Sequence, residues 1–170
     1  MLEHLNIRPA TWDEIKFALA DIDQKFVDID RPRWAGITPE QLLASSHALI
    51  SGDVVELVLI KPTREVVYHD ITPRPAKTGD RRVDMRAEAH ISMTACNLAR
   101  DHFDVTFSTH YRLRQPMTSE SIAAGWAWAE KNTVDLWCGF FDYPSSGKEY
   151  RLAFRDPGDA ERFRSYLSDE

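Results

Sequence analysis

Ile15, Ala18, Leu19, Ile22 and Phe26 recur at helical spacing and predict a first helix over residues 12 to 27. Thr11 and Glu14 introduce that stripe as a reciprocal cap: the hydroxyl takes an exposed helix N–H and the carboxylate reaches back to the cap's own N–H. Thr38, Pro39 and Gln41 repeat the signal, with proline at the first helical position. Gly52 follows Ile50 as a stop, so a second helix is predicted over residues 39 to 50. VVELVLIK (54 to 61) and EVVYHDIT (65 to 72) are β-branched runs separated by Pro62, Thr63 and Arg64, the pattern of a hairpin.

PRPAKTGDRR (73 to 82) reads as a loop, because its prolines cannot feed a sheet ladder and its charges resist burial. It is the best internal boundary, dividing a first unit (1–75) and a connecting stretch (76–100) from a second unit (101–170), unless all of these form one domain. Residues 83 to 100 carry two patterns. Val83, Met85, Ala87, Ala89, Ile91 and Met93 alternate like a strand, whereas Ala87, Ile91, Ala95 and Leu98 fit a helix. A strand followed by a short helix is the expectation. HFDVTFSTHYRLR then alternates as a strand, with Phe103, Val105, Phe107, Tyr111 and Leu113 on one face. His102, Asp104, Thr106, Ser108, His110, Arg112 and Arg114 lie on the other.

After Pro116, TSESIAAGWAWAEKN predicts a helix, VDLWCGFF and EYRLAF predict strands around a turn at residues 144 to 147, and Asp156 with Pro157 opens a last helix. The second unit therefore runs β-α-β-β-α, the greater part of a ferredoxin-like unit without its final strand. The expected fold class is α+β.

Composition narrows the function classes. At 43% hydrophobic and 28% charged the chain has the make-up of a folded protein. It has no apolar run long enough to span a membrane, and its first residues do not read as a secretory signal. Two cysteines, Cys96 and Cys138, are too few for a disulfide framework or a four-cysteine zinc site. A reducing cytoplasm with both thiols buried is the expectation. Residues 1 to 80 hold nine basic and thirteen acidic groups and the remainder twelve and fourteen, so neither half has the basic field that phosphate-backbone binding needs.

NIRPATWDEI, the two helices after it, and VVELVLI with its hairpin are similar to the opening of the GNAT family of N-acetyltransferases, over about residues 5 to 72. Degenerate members of that family from tailed phages resemble it most. The resemblance implies a β-α-α-β-β half and, in the family, acetyl-CoA held by an R/Q-x-x-G-x-G/A turn between a strand and a helix. That turn needs small residues for close backbone approach. The seven glycines stand no closer than eight residues apart, which removes the P-loop and the dinucleotide fingerprint as well. The nearest substitute, Gly125-Trp126-Ala127, has Ile122 where Arg or Gln belongs, so the expectation is a helix packed through Gly125 and no cofactor site.

Other chemistry is equally thin. No serine has glycines at both ±2, and Cys96 between His90 and His102 has no sequence-adjacent base, so no catalytic residue is expected. The six histidines show no H-x-x-x-H spacing, so no metal is expected. The DID repeats at 21–23 and 28–30 lack the glycine and glutamate of a calcium loop. YRLAFRDPGDAERF is similar to the third strand and second helix of an RNA-recognition motif, but Tyr150, Leu152 and Phe154 occupy the helix-facing alternation. Glu149, Arg151 and Ala153 take the stacking positions.

In VDLWCGFFDY, Val134, Leu136, Cys138 and Phe140 form one face, while Trp137, Phe141 and Tyr143 form the other beside Gly139. A strand apolar on both faces must have both covered, by the first half of the chain or by another protein. The leading functional expectation is non-catalytic protein binding by a phage-type accessory protein, through Trp137, Phe141, Tyr143, His110, Arg112 and Arg114. The alternatives are a divergent acetyl-CoA-dependent acyltransferase and single-stranded nucleic-acid binding through the C-terminal sheet.

Overall fold

A computed structural model of the chain describes residues 6–25, 37–107, 109–113, 117–142 and 147–169. Expectations resting on Phe26, Asp28, Asp30, Ser108, Arg114, Tyr143 and the turn at 144–146 lie outside the described residues. The described residues form five helices and seven strands, so the α+β class stands.

The first half is built as its caps direct. β1 (Asn6–Pro9) leads into α1 (Trp12–Lys25), where the Thr11 N–H donates to Glu14 Oε1 at 2.9 Å and the Glu14 N–H to Thr11 Oγ1 at 3.3 Å. Arg8 adds two 2.7 Å bonds to the same carboxylate and holds it below the usual carboxylate range. α2 (Pro39–Ser45) carries the expected Thr38/Gln41 capping box, but it ends five residues early. Residues His47–Ser51 are instead β2, paired with β1 on one edge and β3 (Val54–Ile60) on the other. Two ladders claim these residues before the helix stop expected at Gly52, and Ala48 and Leu49 are buried as a central strand demands. β4 (Val66–Asp70) completes an antiparallel sheet in the order β1-β2-β3-β4.

The larger correction falls on residues 81 to 106, expected as loop end, strand, short helix and strand. They form one helix, α3 (Arg81–Thr106), capped by Asp80, which accepts from the Arg82 and Val83 N–H groups. Ile91, Ala95 and Leu98 are its buried residues, at helical spacing, whereas Met85, Met93 and Val105 from the two-residue alternation are well exposed. The alternation had no sheet to join. The expected strand from 102 to 114 is reduced to β5 (Thr109–Arg112), which places His102 and Asp104 on a helix rather than on the strand face of His110.

The remainder follows expectation: α4 (Ser119–Asn132), β6 (Trp137–Asp142), β7 (Glu149–Phe154) and α5 (Pro157–Asp169), with Asp156 Oδ2 accepting from the Asp159 N–H at 3.0 Å. The second sheet is antiparallel in the order β5-β7-β6. A single parallel bridge, Glu65 with Trp137, joins the sheets edge to edge. α3 covers one face of both, through a core that includes Val58, Val66, Leu98, Phe107, Cys138 and Ala153. On the opposite face α1 and α2 cover the first sheet, and α4 and α5 cover the second around Trp126, Tyr150, Leu152 and Phe163.

Trp137 is consequently 0% exposed and unavailable to any partner. Its N–H donates to Arg64 O and its Nε1–H to Thr63 O, both at 3.0 Å. Tyr150, Leu152 and Phe154 face the helices as expected, and Gly125 and Trp126 are buried in the same core. Gly139 sits above Tyr150, where a Cβ would lie 2.0 Å from the hydroxyl that accepts the Trp126 Nε1–H bond of 2.6 Å.

Two substitutions follow from this packing. Trp137→Ala should lower unfolding free energy by about 3–5 kcal/mol, from lost burial plus a cavity. Gly139→Ala should cost roughly 1–3 kcal/mol by displacing Tyr150. Urea unfolding checks both, with the exposed Val134→Ala expected to stay within about 0.5 kcal/mol of wild type. Trp137→Ala at wild-type stability would refute the placement of the bridge in the core.

Candidate functional site

Past the bridge, β4 and β6 part. Ile71 N–H donates to Val55 O and Lys61 N–H to Glu65 O, which fixes the odd residues of β4 as those bonded to β3. The backbone groups of Tyr68 and Asp70 therefore point to the other edge, where no strand pairs with them among the described residues. Trp137 N–H points at β4, so by the same alternation Gly139 and Phe141 turn their backbone groups toward the gap from the β6 side. The gap is a cleft of about 610 Å³, floored by α3 at Cys96, Ala99 and Phe103 and walled by Tyr68, Phe140 and Tyr150, with Arg100, Asp104, His110 and Asp142 also lining it.

Of the residues expected to meet a partner, the structure brings His110, Phe141 and Trp137 to or near this region but not to one surface. His110 is exposed on β5, and its Nδ1 accepts from the Arg151 guanidinium at 3.0 Å. Phe141 is half-buried, edge-on to Tyr150 with Lys148 Nζ 4.1 Å above its ring. Arg112 is bound to the Glu149 carboxylate at 2.9 Å, and Arg114 and Tyr143 lie outside the described residues. The thiols also divide: Cys138 is buried as expected, but Cys96 is exposed on α3. The sheet face on which an RNA-recognition motif stacks bases is here the α3 side, where Ala153 is fully buried.

The polar groups that matter most were separated too widely to be seen along the chain. His47, Tyr68 and His102 meet beneath α3. His47 Nε2 and His102 Nε2 are 3.4 Å apart, and His102 Nδ1 is 2.8 Å from the Tyr68 hydroxyl. Burial, with His47 as a second cause, pushes the His102 imidazole down to about 4. Burial also lowers His47, against a hydrogen bond to the Ser45 backbone. Tyr68 is raised by burial first, then by Cys138 and Glu56. The one signal available was Tyr68 and Asp70 on the same alternation as Val66, polar groups on an apolar face.

Glu56, on the α3 side of β3 between Val54 and Val58, is 95% buried, being 5% exposed. No hydrogen-bond donor among the described residues reaches its Oε2. Burial, then the neighbouring Asp70, pushes its carboxyl up to about 8. Among the described residues no group of three or more His, Cys, Asp or Glu is placed to hold a metal ion, and no helix is long and apolar enough to cross a membrane. No protein-family model matches the chain, and no curated protein or solved structure shows significant similarity to it.

The Glu56 carboxyl sets a pH dependence with a definite sign. The folded chain keeps a Glu56 proton that the unfolded chain sheds near pH 4.5, so this group's contribution to stability falls as pH rises from there to about 8. Glu56→Gln keeps the shape without the charge. Its gain over wild type should grow by about 1.4 kcal/mol per pH unit, to the order of 4 kcal/mol at pH 8. Urea midpoints at pH 5, 6.5 and 8 measure this difference, from which the histidines cancel. A gain independent of pH would mean that Glu56 ionises normally.

Proposed function

We propose that the protein binds an extended peptide segment of a partner, received as an added strand in the cleft between β4 and β6. The observation that carries this reading is the divergence of two strands after one bridge, with backbone groups of Tyr68, Gly139 and Phe141 turned into a cleft of about 610 Å³. Unpaired strand edges are templates for main-chain hydrogen bonding, and pockets beside them select side chains. The apolar floor suits an aliphatic or aromatic residue, and Arg100 beside Asp104 and Asp142 suits a polar neighbour of either sign. This keeps protein binding as the function while moving it from the Trp137 face to the cleft.

A second reading has an observation of its own. The order β-α-α-β-β-β-α, followed by a strand set parallel beside β4, resembles the acetyltransferase plan, in which such a cleft takes the amide-bearing arm of acetyl-CoA. The loop between β4 and α3 also offers Arg74-x-x-Lys77-x-Gly79, with Gly79 at φ +87°, in the place of the family's phosphate turn. Against it, Asp80 already occupies the first N–H groups of α3, and Arg74 is bound by Asp70 and Glu88. The later β-α-β-β-α order with sheet β5-β7-β6 is read as a ferredoxin-like unit lacking one strand, which departs from that plan.

A displayed library of random peptides, selected against the whole chain, tests the first reading. Selected peptides should bind at least tenfold more weakly to Ala99→Trp, which fills the cleft floor, and normally to Met93→Ala on the outer face of α3. Binding indifferent to Ala99→Trp would overturn the cleft assignment. A melting-temperature rise of about 5–10 °C at 100 times the acetyl-CoA dissociation constant, abolished by the same substitution, would establish the second reading instead.

A further inference from the structure

His47 opens β2 and His102 lies near the end of α3, 55 residues apart in sequence. Their Nε2 atoms converge to 3.4 Å with the rings inclined at 59°. That separation is long for an N–H···N hydrogen bond. It is the spacing of two imidazole nitrogens on one tetrahedral ion, which for metal–nitrogen bonds of 2.0–2.1 Å is about 3.3–3.4 Å.

The other nitrogen of His102 is held from behind, with Nδ1 2.8 Å from the Tyr68 hydroxyl. An outer partner of this kind fixes the tautomer and orientation of a histidine that binds metal. His47 also lines a surface pocket of about 360 Å³ with Arg8, Pro9 and Ser45.

We infer that His47 and His102 form a two-histidine chelate for a borderline divalent cation such as Zn²⁺, with water completing its coordination. No local pattern encodes the pair, because the ligands come from a strand and a helix that meet only when α3 packs on the first sheet. With no third His, Cys, Asp or Glu at the point among the described residues, the site is open and exchangeable.

The protons balance without loss. In the ion-free chain Tyr68 O–H donates to His102 Nδ1, which leaves the His102 proton on Nε2, facing His47 Nε2. On binding, the His102 proton moves from Nε2 to Nδ1 and the Tyr68 hydroxyl turns from donor to acceptor. Both Nε2 lone pairs then face the ion, and no proton leaves the protein.

Competition between the whole chain and a chromophoric zinc chelator at pH 7.5 tests the site. Wild type should take up one Zn²⁺ per chain. His47→Ala and His102→Gln should each weaken uptake at least tenfold, while His90→Ala on the exposed face of α3 should leave it unchanged. Long-range ¹⁵N–¹H spectra of wild type provide a check that needs no variant: zinc should shift the Nε2 signals of two histidines and no others. Failure of wild type to compete, or shifts spread over several histidines, would overturn the assignment.

Discussion

Everything in this molecule turns on the five residues between β3 and β4. Lys61 and Glu65, only 3% and 1% exposed at their side chains, form an ion pair of 2.7 Å across the turn. Such a pair is costly to bury and more costly to break. It sets the turn's shape, with Arg64 in the left-handed region at φ +74°, a conformation that favours glycine. In that pose the Arg64 side chain reaches Thr133 Oγ1 at 3.1 Å and the Glu130 carbonyl at 2.6 Å, at the end of α4. Its own carbonyl and that of Thr63 receive both N–H groups of Trp137. The second half of the chain is therefore docked on a turn of the first.

That pivot explains why the two sheets meet and why they part. Bonding is concentrated at residues 63–65 and 137, and among the described residues no further backbone pairing joins β4 to β6. The packing on either side differs. The odd positions of β4 lean on α1 and α2, those of β6 lean on α4 and α5, and these helix pairs do not share a core. α3 alone spans both sheets, with Leu98 and Phe107 in one core with Val66, Cys138 and Ala153. A sheet fixed at one point and bridged by one helix opens into a wedge, and the wedge is the cleft.

Local signals in the sequence were enough wherever a segment's structure is decided within itself. The caps at Thr11, Thr38 and Asp156 and the hairpin around residues 61–65 are of this kind, because they satisfy their own backbone groups. Segments decided by distant partners could not be read. Residues 47–51 precede the helix stop expected at Gly52 but lie between two strands, and residues 83–93 alternate but project Met85 and Met93 into solvent. Trp137 showed that a strand apolar on both faces must be covered twice. Which cover it receives depends on Thr63, 74 residues away, which no local pattern encodes. The site was less legible than the fold for the same reason: His47, Tyr68 and His102 come from three elements.

Buried polar groups lie on both faces of the first sheet. The alternation that sets Leu57, Leu59 and Val67 against α1 and α2 also carries Lys61, Glu65 and His69, all buried and each held by an ion pair, His69 with Asp21 of α1 at 2.7 Å. Under α3 the first sheet presents His47, Glu56, Tyr68 and Asp70 among Leu49, Val58 and Val66. An apolar set of similar volume would stabilise this layer more, since a carboxyl without a donor at one oxygen and two half-buried imidazoles all oppose folding. Sequences that specify a fold keep such conflicts few, and where they persist together the site is set by use rather than by stability. Tyr68 belongs to both groups: its ring walls the cleft and its hydroxyl holds His102. An event in the cleft that moved Tyr68 would reach the histidine pair through one hydrogen bond, making α3 the element that reports one site to the other.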